Sequence, residues 1–433
     1  MPRITVGIPA YKTTFLVQAI ASVLSQTVTD FELLISDDSP DGSVSELVRR
    51  FQDPRIRLIE GPRQGLVANS AHVWENARCD LLKFLYDDDV LFPGAIEELA
   101  PLLEDNPRYV FAFSRRALID VYGRVIQRPQ GFAGEGVIWF DPTAIAQHMM
   151  RTMINSVGEP SSMMIRRSAF PDASCLTAYA GIPIQHLIDV VFVMNAAERG
   201  SAVATSACLT GFRHHGDQVS SRSKAPGFVR GVIEWEVCLR GSVSKGIVPA
   251  QTALLGLPAL ENLYKGFASG FGETRLFLRD LPKLEELLRS GSRDVITDTF
   301  REHLHVTDVL TRARAAKAAT EPKEDVAAEE PMIRGQVEFL NRSVARGWAM
   351  DPDRPHQPVR VEALVRDRIV GHSVADLDRP DLQFNLDSTR FGFELRFYQP
   401  LDGDELPSFR FSSGTERWLP PAARLSARKA PEL

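Results

Sequence analysis

Three consecutive aspartates, Asp87-Asp88-Asp89, follow the run Leu82-Lys83-Phe84-Leu85-Tyr86 and precede Val90-Leu91-Phe92-Pro93-Gly94. The run is rich in large apolar residues and reads as a buried strand. Carboxylates side by side at a strand end repel one another and lose hydration, and a cation relieves both costs. Oxygen ligands of this kind suit a divalent metal whose shell is completed by a phosphorylated partner. Open α/β sheets also receive ligands at the carboxyl ends of their strands. The competing reading is that Asp88 or Asp89 caps a helix beginning near Pro93. A second acidic pair, Asp37-Asp38, leads into Ser39-Pro40-Asp41-Gly42, a composition that also favours a plain turn and helix cap.

The elements that must position these acids are visible around them. Residues 4–8, 31–36, 56–59 and 81–86 have the composition of strands, and residues 15–24 and 66–77 carry apolar side chains at helical spacing. Strand alternating with helix across short turns predicts an α/β fold with a mostly parallel sheet covered on both faces. In a parallel sheet the two acidic strand ends lie on the same edge. One can then hold a base or sugar while the other holds a metal on phosphates.

Taken in order, VGIPAY, IASVLSQTVTDFELLISDDS, GLVANSAHVWENA and LLKFLYDDDVLFP resemble the motifs of the family-2 glycosyltransferases, over roughly residues 3–220. The resemblance implies the GT-A fold, a Rossmann-like nucleotide-diphospho-sugar transferase domain, and a nucleotide-sugar donor. It implies Pro9 and Tyr11 against the base, Asp38 hydrogen-bonded to it, and Asn69 near the donor. It also implies Asp89 as a ligand of Mn²⁺ or Mg²⁺, with Asp87 or Asp88 facing ribose and donor sugar. Carboxylate and water ligands suit those hard ions rather than zinc. In that family a base site of the Tyr11/Asp38 kind commonly reads uracil, so a UDP-sugar is the expected donor, with TDP- and GDP-sugars as the alternatives.

Further along, residues 109–114 read as a buried strand and 117–128 as a hairpin turning at Tyr122-Gly123. Gly158-Glu159-Pro160-Ser161-Ser162 reads as a polar turn into a strand, with Ser161 and Ser162 either turn residues or site residues beside donor and acceptor. Asp189 opens a segment, Val190-Val191-Phe192-Val193-Met194, that is apolar all round and therefore buried. The acid is either a cap and dipole partner or a general base. The resemblance implies the base, acting on an acceptor hydroxyl in a single displacement with inversion. The family has Glu-Asp at this point, eleven residues before a glycine such as Gly200, whereas this chain has Ile188-Asp189. His215 falls on the histidine of an Arg-x-His-x-x-Gln-x-Ser-like stretch. There the resemblance implies that it completes the metal shell or contacts the diphosphate, with His214 as the other choice and Arg213 and Arg222 adding charge toward phosphates. A histidine in a polar loop is otherwise a solvated surface group.

The chain has 433 residues, a formal net charge of -6 and ordinary globular composition. It has no basic field, so nucleic acid is not an expected partner. Four scattered cysteines lack ligand or pairing spacing and predict reduced thiols in a cytoplasmic protein. A strand directly at the N-terminus predicts no signal peptide. Residues 226–319 read as helices, and 320–331 as a polar Ala/Glu/Pro linker. Period-two strands then predict an accessory β-sandwich over 332–433, in which Trp348 and Trp418 are core or sugar-stacking aromatics, with the core favoured for Trp348 by its apolar strand. The domains expected are thus a GT-A catalytic domain (1–225), a helical region (226–319), a linker (320–331) and a sandwich (332–433). The expected function is a metal-dependent inverting glycosyltransferase using a glycan or lipid-linked glycan acceptor in bacterial surface polysaccharide synthesis. Peripheral contact with the inner membrane and self-association stay open. The alternative is an inactive glycan- or nucleotide-binding protein, favoured by the missing glutamate before Asp189.

Overall fold

The computed structural model describes residues 2–215, 228–320, 334–351, 357–366, 368–379, 390–401 and 407–412. Arg222, Trp418 and all of the expected linker except Thr320 lie outside these residues. The chain begins with β1 (Ile4–Ala10), α1 (Leu16–Leu24), β2 (Phe31–Asp37), α2 (Ser43–Val48), β3 (Ile56–Glu60), α3 (Leu66–Asn76) and β4 (Leu81–Phe84). The six residues of α2 are too few to give a periodic signal, and none was expected there. β1 pairs in parallel with both β2 and β4, and β2 with β3. Ala10 lies opposite Asp37 and Gly7 opposite Phe84, so the residues that leave these strands emerge together on one edge.

The second half of the sheet is mixed. It comprises β5 (Val90–Leu91), α4 (Ala95–Glu104), β6 (Tyr109–Ile119), β7 (Val125–Gln127), β8 (Val137–Phe140), α5 (Pro142–Thr152), β9 (Met163–Arg166), α6 (Ser174–Thr177), β10 (Ala178–Tyr179), β11 (Ile182–Pro183), α7 (Ile188–Ala196) and β12 (Ser201–Arg213). The sheet order is β3-β2-β1-β4-β9-β6-β12-β5, with β7 beside β6, β8 beside β12, and β10-β11 a separate hairpin. β9 runs antiparallel to both β4 and β6, whereas β6 and β12 are parallel. Alternate side chains of each strand feed opposite faces. Leu33 and Ile35 join the cluster under α1 and α4, and Leu34 joins the one under α3 and α7.

That second cluster continues without a break into α8 (Phe228–Ser244), α9 (Ala250–Phe267), α10 (Thr274–Arg289) and α11 (Asp298–Thr320). Val237, Leu260, Phe277 and Phe300 share one core with Phe111 and Phe192. The helical region is therefore built onto the sheet. The last strands are β13 (Arg334–Leu340), β14 (Val344–Met350), β15 (Val359–Val365), β16 (Arg368–Ala375), β17 (Leu377–Asp378), β18 (Arg390–Arg396) and β19 (Ser408–Ser412). They form two antiparallel sheets, β13-β14-β18-β17 and β16-β15-β19, packed through Val361, Ala363, Phe393, Leu395 and Phe409. Trp348 is not in this core. Ala345 and Ala349 point inward, so period two turns Trp348 outward, where it is half-buried.

Leu364 and Ile369 of the sandwich leave their own core and join the cluster beneath α1 and α2, which fastens the sandwich to the large mixed sheet. The four cysteines are unpaired, and among the described residues no helix is long and apolar enough to cross a membrane.

One buried acid ties the edge of the sheet opposite the cleft. Glu32 on β2 accepts from Thr5 Oγ1 and the Arg78 amide, each at 2.7 Å, and from Arg57 Nε at 3.1 Å. Burial pushes its carboxyl up, but these donors outweigh burial and hold it below the usual range. Its contribution to stability is therefore present above the ordinary carboxylate range and is lost as pH falls through the lowered value. Glu32→Ala should cost about 3 kcal/mol in urea unfolding at neutral pH, and the deficit should shrink in acid.

Candidate active site

The common strand edge opens into a cavity of about 640 Å³. One wall is formed by Pro9 at the end of β1, Tyr11, Lys12, Thr14 and Phe15 after it, Asp38 after β2, Leu66 and Asn69 of α3, and Tyr86, Asp87 and Asp88 after β4. The facing wall carries Glu159, Pro160, His186, Asp189 and His215, and aromatic and aliphatic side chains of α8 and α9 close it, among them Phe228, Val232, Trp235, Leu263 and Phe267. Pro9, Tyr11, Asp38, Asn69, Asp87, Asp88, Asp189 and His215 thus share one cavity, and Asp89 is not on its wall.

The three aspartates take three directions. Asp87 Oδ2 accepts the amides of Tyr11 and Lys12, both at 2.7 Å, and so anchors the loop after β1. Burial, reinforced by the Asp88 charge, pushes its carboxyl up to about 6. Asp88 faces the cavity, with Oδ2 at 3.1 Å from His215 Nε2. Asp89 is fully buried and accepts the Arg213 amide at 3.0 Å. Burial and the Asp88 charge raise its pKa well above the ordinary range. Asp89 was expected to hold the metal. The turn after β4 places Asp89 beneath the cavity floor, and Asp88 is the acid that faces the cavity beside His215. Neither acid caps α4, whose N-cap is Gly94 at φ 80.

Arg213, expected to face phosphates, is also buried. Its side chain donates to Asp88 O (2.7 Å), Asp120 O (2.8 Å) and Gln18 Oε1 (2.6 Å) and lies 4.4 Å over the Phe15 ring. His214 is exposed and is not on the cavity wall. His215 is nearly buried, with its ring 5.0 Å from Phe15. Ser161 and Ser162 are structural. The Ser161 hydroxyl accepts the Tyr86 amide at 3.0 Å, and that of Ser162 donates to Glu159 O at 2.8 Å.

On the wall formed at the ends of β1, β2 and β4 the second acidic pair divides its work. Asp37 accepts the Ser39 and Ser45 amides at 2.9 and 2.8 Å and so caps α2. Asp38 accepts from the Arg63 amide and, at 3.0 Å, from the Gly65 amide, bracing a turn in which both residues have positive φ. Asn69 accepts the Ser36 hydroxyl at 2.6 Å and donates to Ala10 O and Ser36 O, joining β1, β2 and α3 under the cavity.

Asp189 lies in the first turn of α7. Its Oδ1 accepts the Val190 amide at 2.8 Å and its Oδ2 accepts Asn155 Nδ2 at 2.7 Å. Burial raises its carboxyl pKa, and these two donors oppose the rise. Ile188 stands where the sequence resemblance has a glutamate, but Glu159 brings another carboxylate to the same cavity, paired with Arg116 Nε at 2.7 Å.

Four residues of the site had not been singled out as functional. Asn155 and Glu159 sit in irregular loops, where no periodicity marks them. Lys83 interrupts an apolar strand, and that interruption is a signal; its buried Nζ donates to Phe84 O at 3.0 Å and to Ser161 O, and burial lowers its pKa to about 7. Glu234 on α8 accepts the amides of Gln185, His186 and Leu187 at 2.7, 3.1 and 2.7 Å, securing the segment that enters α7.

Among the described residues, no three His, Cys, Asp or Glu side chains gather as a metal cluster. Asp88 and His215 offer two donors. That set fits a hard divalent ion that takes its remaining ligands from water and phosphate, and it does not fit a closed all-protein site.

Residues 5–172 match the family model described as Glycosyl transferase family 2. An uncharacterized protein of Mycobacterium tuberculosis, MT1568, is 29% identical over 49% of this chain and 67% of its own length. The GalNAc(5)-diNAcBac-PP-undecaprenol beta-1,3-glucosyltransferase of Campylobacter jejuni is 29% identical over 32% of this chain, which spans only 44% of that relative. Among solved structures, Staphylococcus aureus TarS 1-349 in complex with UDP-GlcNAc aligns with 71% of this chain and 92% of its own, at 14% identity and a TM-score of 0.42. Residues 5–172 thus carry a glycosyltransferase domain of the family-2 type. The mixed α/β sheet that they build has the arrangement of the GT-A fold.

The Glu234 carboxylate is buried against three amides, so its removal leaves them without acceptors. Glu234→Ala should lower stability by about 3 kcal/mol in chemical denaturation and raise hydrogen exchange at residues 185–187.

Proposed function

We propose that the protein transfers a sugar, with inversion, from a UDP-sugar to a hydroxyl of a glycan or lipid-linked glycan, and that the reaction depends on Mn²⁺ or Mg²⁺. The observation that carries this reading is the Asp88–His215 pair, at 3.1 Å, in the same cavity as the separate carboxylate Asp189. Tyr11 and Pro9 offer faces for a pyrimidine, and the Asp38 carboxylate suits a base N–H. Asp88 and His215 would hold the metal, which when bound offsets the charge of the departing diphosphate.

Asp189 accepts the proton of the acceptor hydroxyl as that oxygen bonds to the anomeric carbon, and the bond to the diphosphate oxygen breaks on the opposite face. Burial raises the Asp189 pKa and so makes it a stronger base, while Asn155 and the Val190 amide favour its ionised form. The apolar wall from α8 and α9 supports an acceptor with an apolar portion, as in lipid-linked glycans. Unpaired cysteines and a nucleotide-sugar donor support a cytoplasmic enzyme, working peripherally at the inner membrane when its acceptor is lipid-linked.

Calorimetric titration with UDP and Mn²⁺, and donor turnover, test the reading. Asp88→Ala and His215→Ala should each weaken Mn²⁺-dependent UDP binding by at least about tenfold. Asp189→Asn should keep UDP affinity and lower turnover by about 10²- to 10⁴-fold; wild-type turnover would remove it as the base. Failure of the wild type to bind or hydrolyse any nucleotide sugar would overturn the whole reading. Asn155→Ala removes a donor that stabilises the Asp189 carboxylate, so the acidic limb of the kcat/KM profile should move to higher pH.

A further inference from the structure

We infer that the β-sandwich is a working part of the cleft, and that Arg360 is a positioning residue which fixes the loop of residues 11–15 through Thr14 and Phe15. The assignment rests on the reading of that cleft as the nucleotide site. Arg360 projects from β15 and is 6% exposed. Its Nη1 donates to Thr14 O at 2.7 Å, and its guanidinium carbon lies 5.8 Å from the centre of the Phe15 ring. The same ring carries the Arg213 guanidinium at 4.4 Å and lies 5.0 Å from the His215 ring. Lys12, Thr14, Phe15 and His215 all line the cavity.

The loop is therefore held at two points of different origin. Asp87 grips the Tyr11 and Lys12 amides from inside the transferase domain. Arg360 grips Thr14 and Phe15 from the sandwich. Phe15 in turn stands against His215, which pairs with Asp88. A shift of Phe15 thus reaches the imidazole on which the diphosphate end of the site depends.

Other docking contacts avoid the cavity wall. The Ile369 amide donates to Arg50 O at 3.1 Å, the Tyr398 ring stacks on Phe51 at 6.2 Å, and Arg124 Nη1 lies 3.5 Å from Asp376. Docking and loop positioning can therefore be separated by substitution. A module that was merely tethered would need no buried arginine reaching a backbone carbonyl of the cleft.

The test uses the full-length chain. In Arg360→Met, amide hydrogen exchange at residues 11–16 should quicken by about tenfold while β1 and β2 keep wild-type rates. Kd for UDP with Mn²⁺ and KM for the donor should rise about tenfold with kcat nearly unchanged. Arg360→Lys, which restores one donor, should recover part of the loss. Tyr398→Ala should leave residues 11–16 protected. Wild-type loop exchange in folded Arg360→Met overturns the inference, and so does equal deprotection by Tyr398→Ala, because docking alone would then be responsible. Should Arg360→Met fail to fold, Arg360→Gln is measured in the same way, and unchanged loop exchange in it overturns the inference. If the wild type binds no nucleotide, the nucleotide reading of the cleft falls, while the exchange measurements still decide whether Arg360 holds the loop.

Discussion

Three neighbouring carboxylates cannot share one environment without mutual repulsion, and this protein separates theirs by sending each to a different partner. Asp87 turns to the amides of the β1 loop, Asp88 to an imidazole in the cleft, and Asp89 down to the amide of Arg213. The separation depends on parallel pairing of β1 with β2 and β4, which brings the ends of three strands to one edge. It depends equally on β12, which ends beside that edge with Arg213 and leads directly into His215. Arg213 places a buried positive charge among these groups, and Asp88 and Asp89 in turn support its charged form against the cost of burial.

The opposite wall is assembled from more distant parts of the chain. Asp189 owes its orientation to Asn155 from the loop after α5, and the segment before α7 owes its own to Glu234 from α8. Gly231 belongs to the same arrangement, since a Cβ there would stand 3.2 Å from His186 Cβ. The helical region therefore shares a core with the sheet and also helps to set the position of the carboxylate that faces the strand-edge wall. A rigid mount of this kind limits the reorganisation a reaction would otherwise require.

Much of this architecture was legible in the residues. The alternation of strands and helices up to β4 gave the parallel half-sheet, and the acids at residues 37–38 and 87–89 marked the edge where the cavity lies. The antiparallel insertion of β9 between β4 and β6 was not legible, because strand order is decided by packing between distant segments. Nor was the allotment of roles within Asp87-Asp88-Asp89, since neighbouring residues on a turn differ in direction and not in type. Asn155, Glu159 and Glu234 act through contacts 34 to 49 residues away or across loops, where periodicity carries no information. Trp348 shows the converse: its apolar surroundings suggested a core position, and strand alternation placed it outside.

The manner in which Asp87 holds the β1 loop bears on how such an enzyme can change over generations. Its carboxylate grips main-chain N–H groups at positions 11 and 12, and every residue but proline provides that group. The grip is therefore indifferent to which side chains stand there. Tyr11, half-exposed over the cavity, can be exchanged for another residue without releasing the loop that presents it. If the cleft holds the nucleotide as proposed, choice of base is uncoupled from the integrity of the scaffold, and single substitutions at position 11 can alter donor preference where the fold has little to lose.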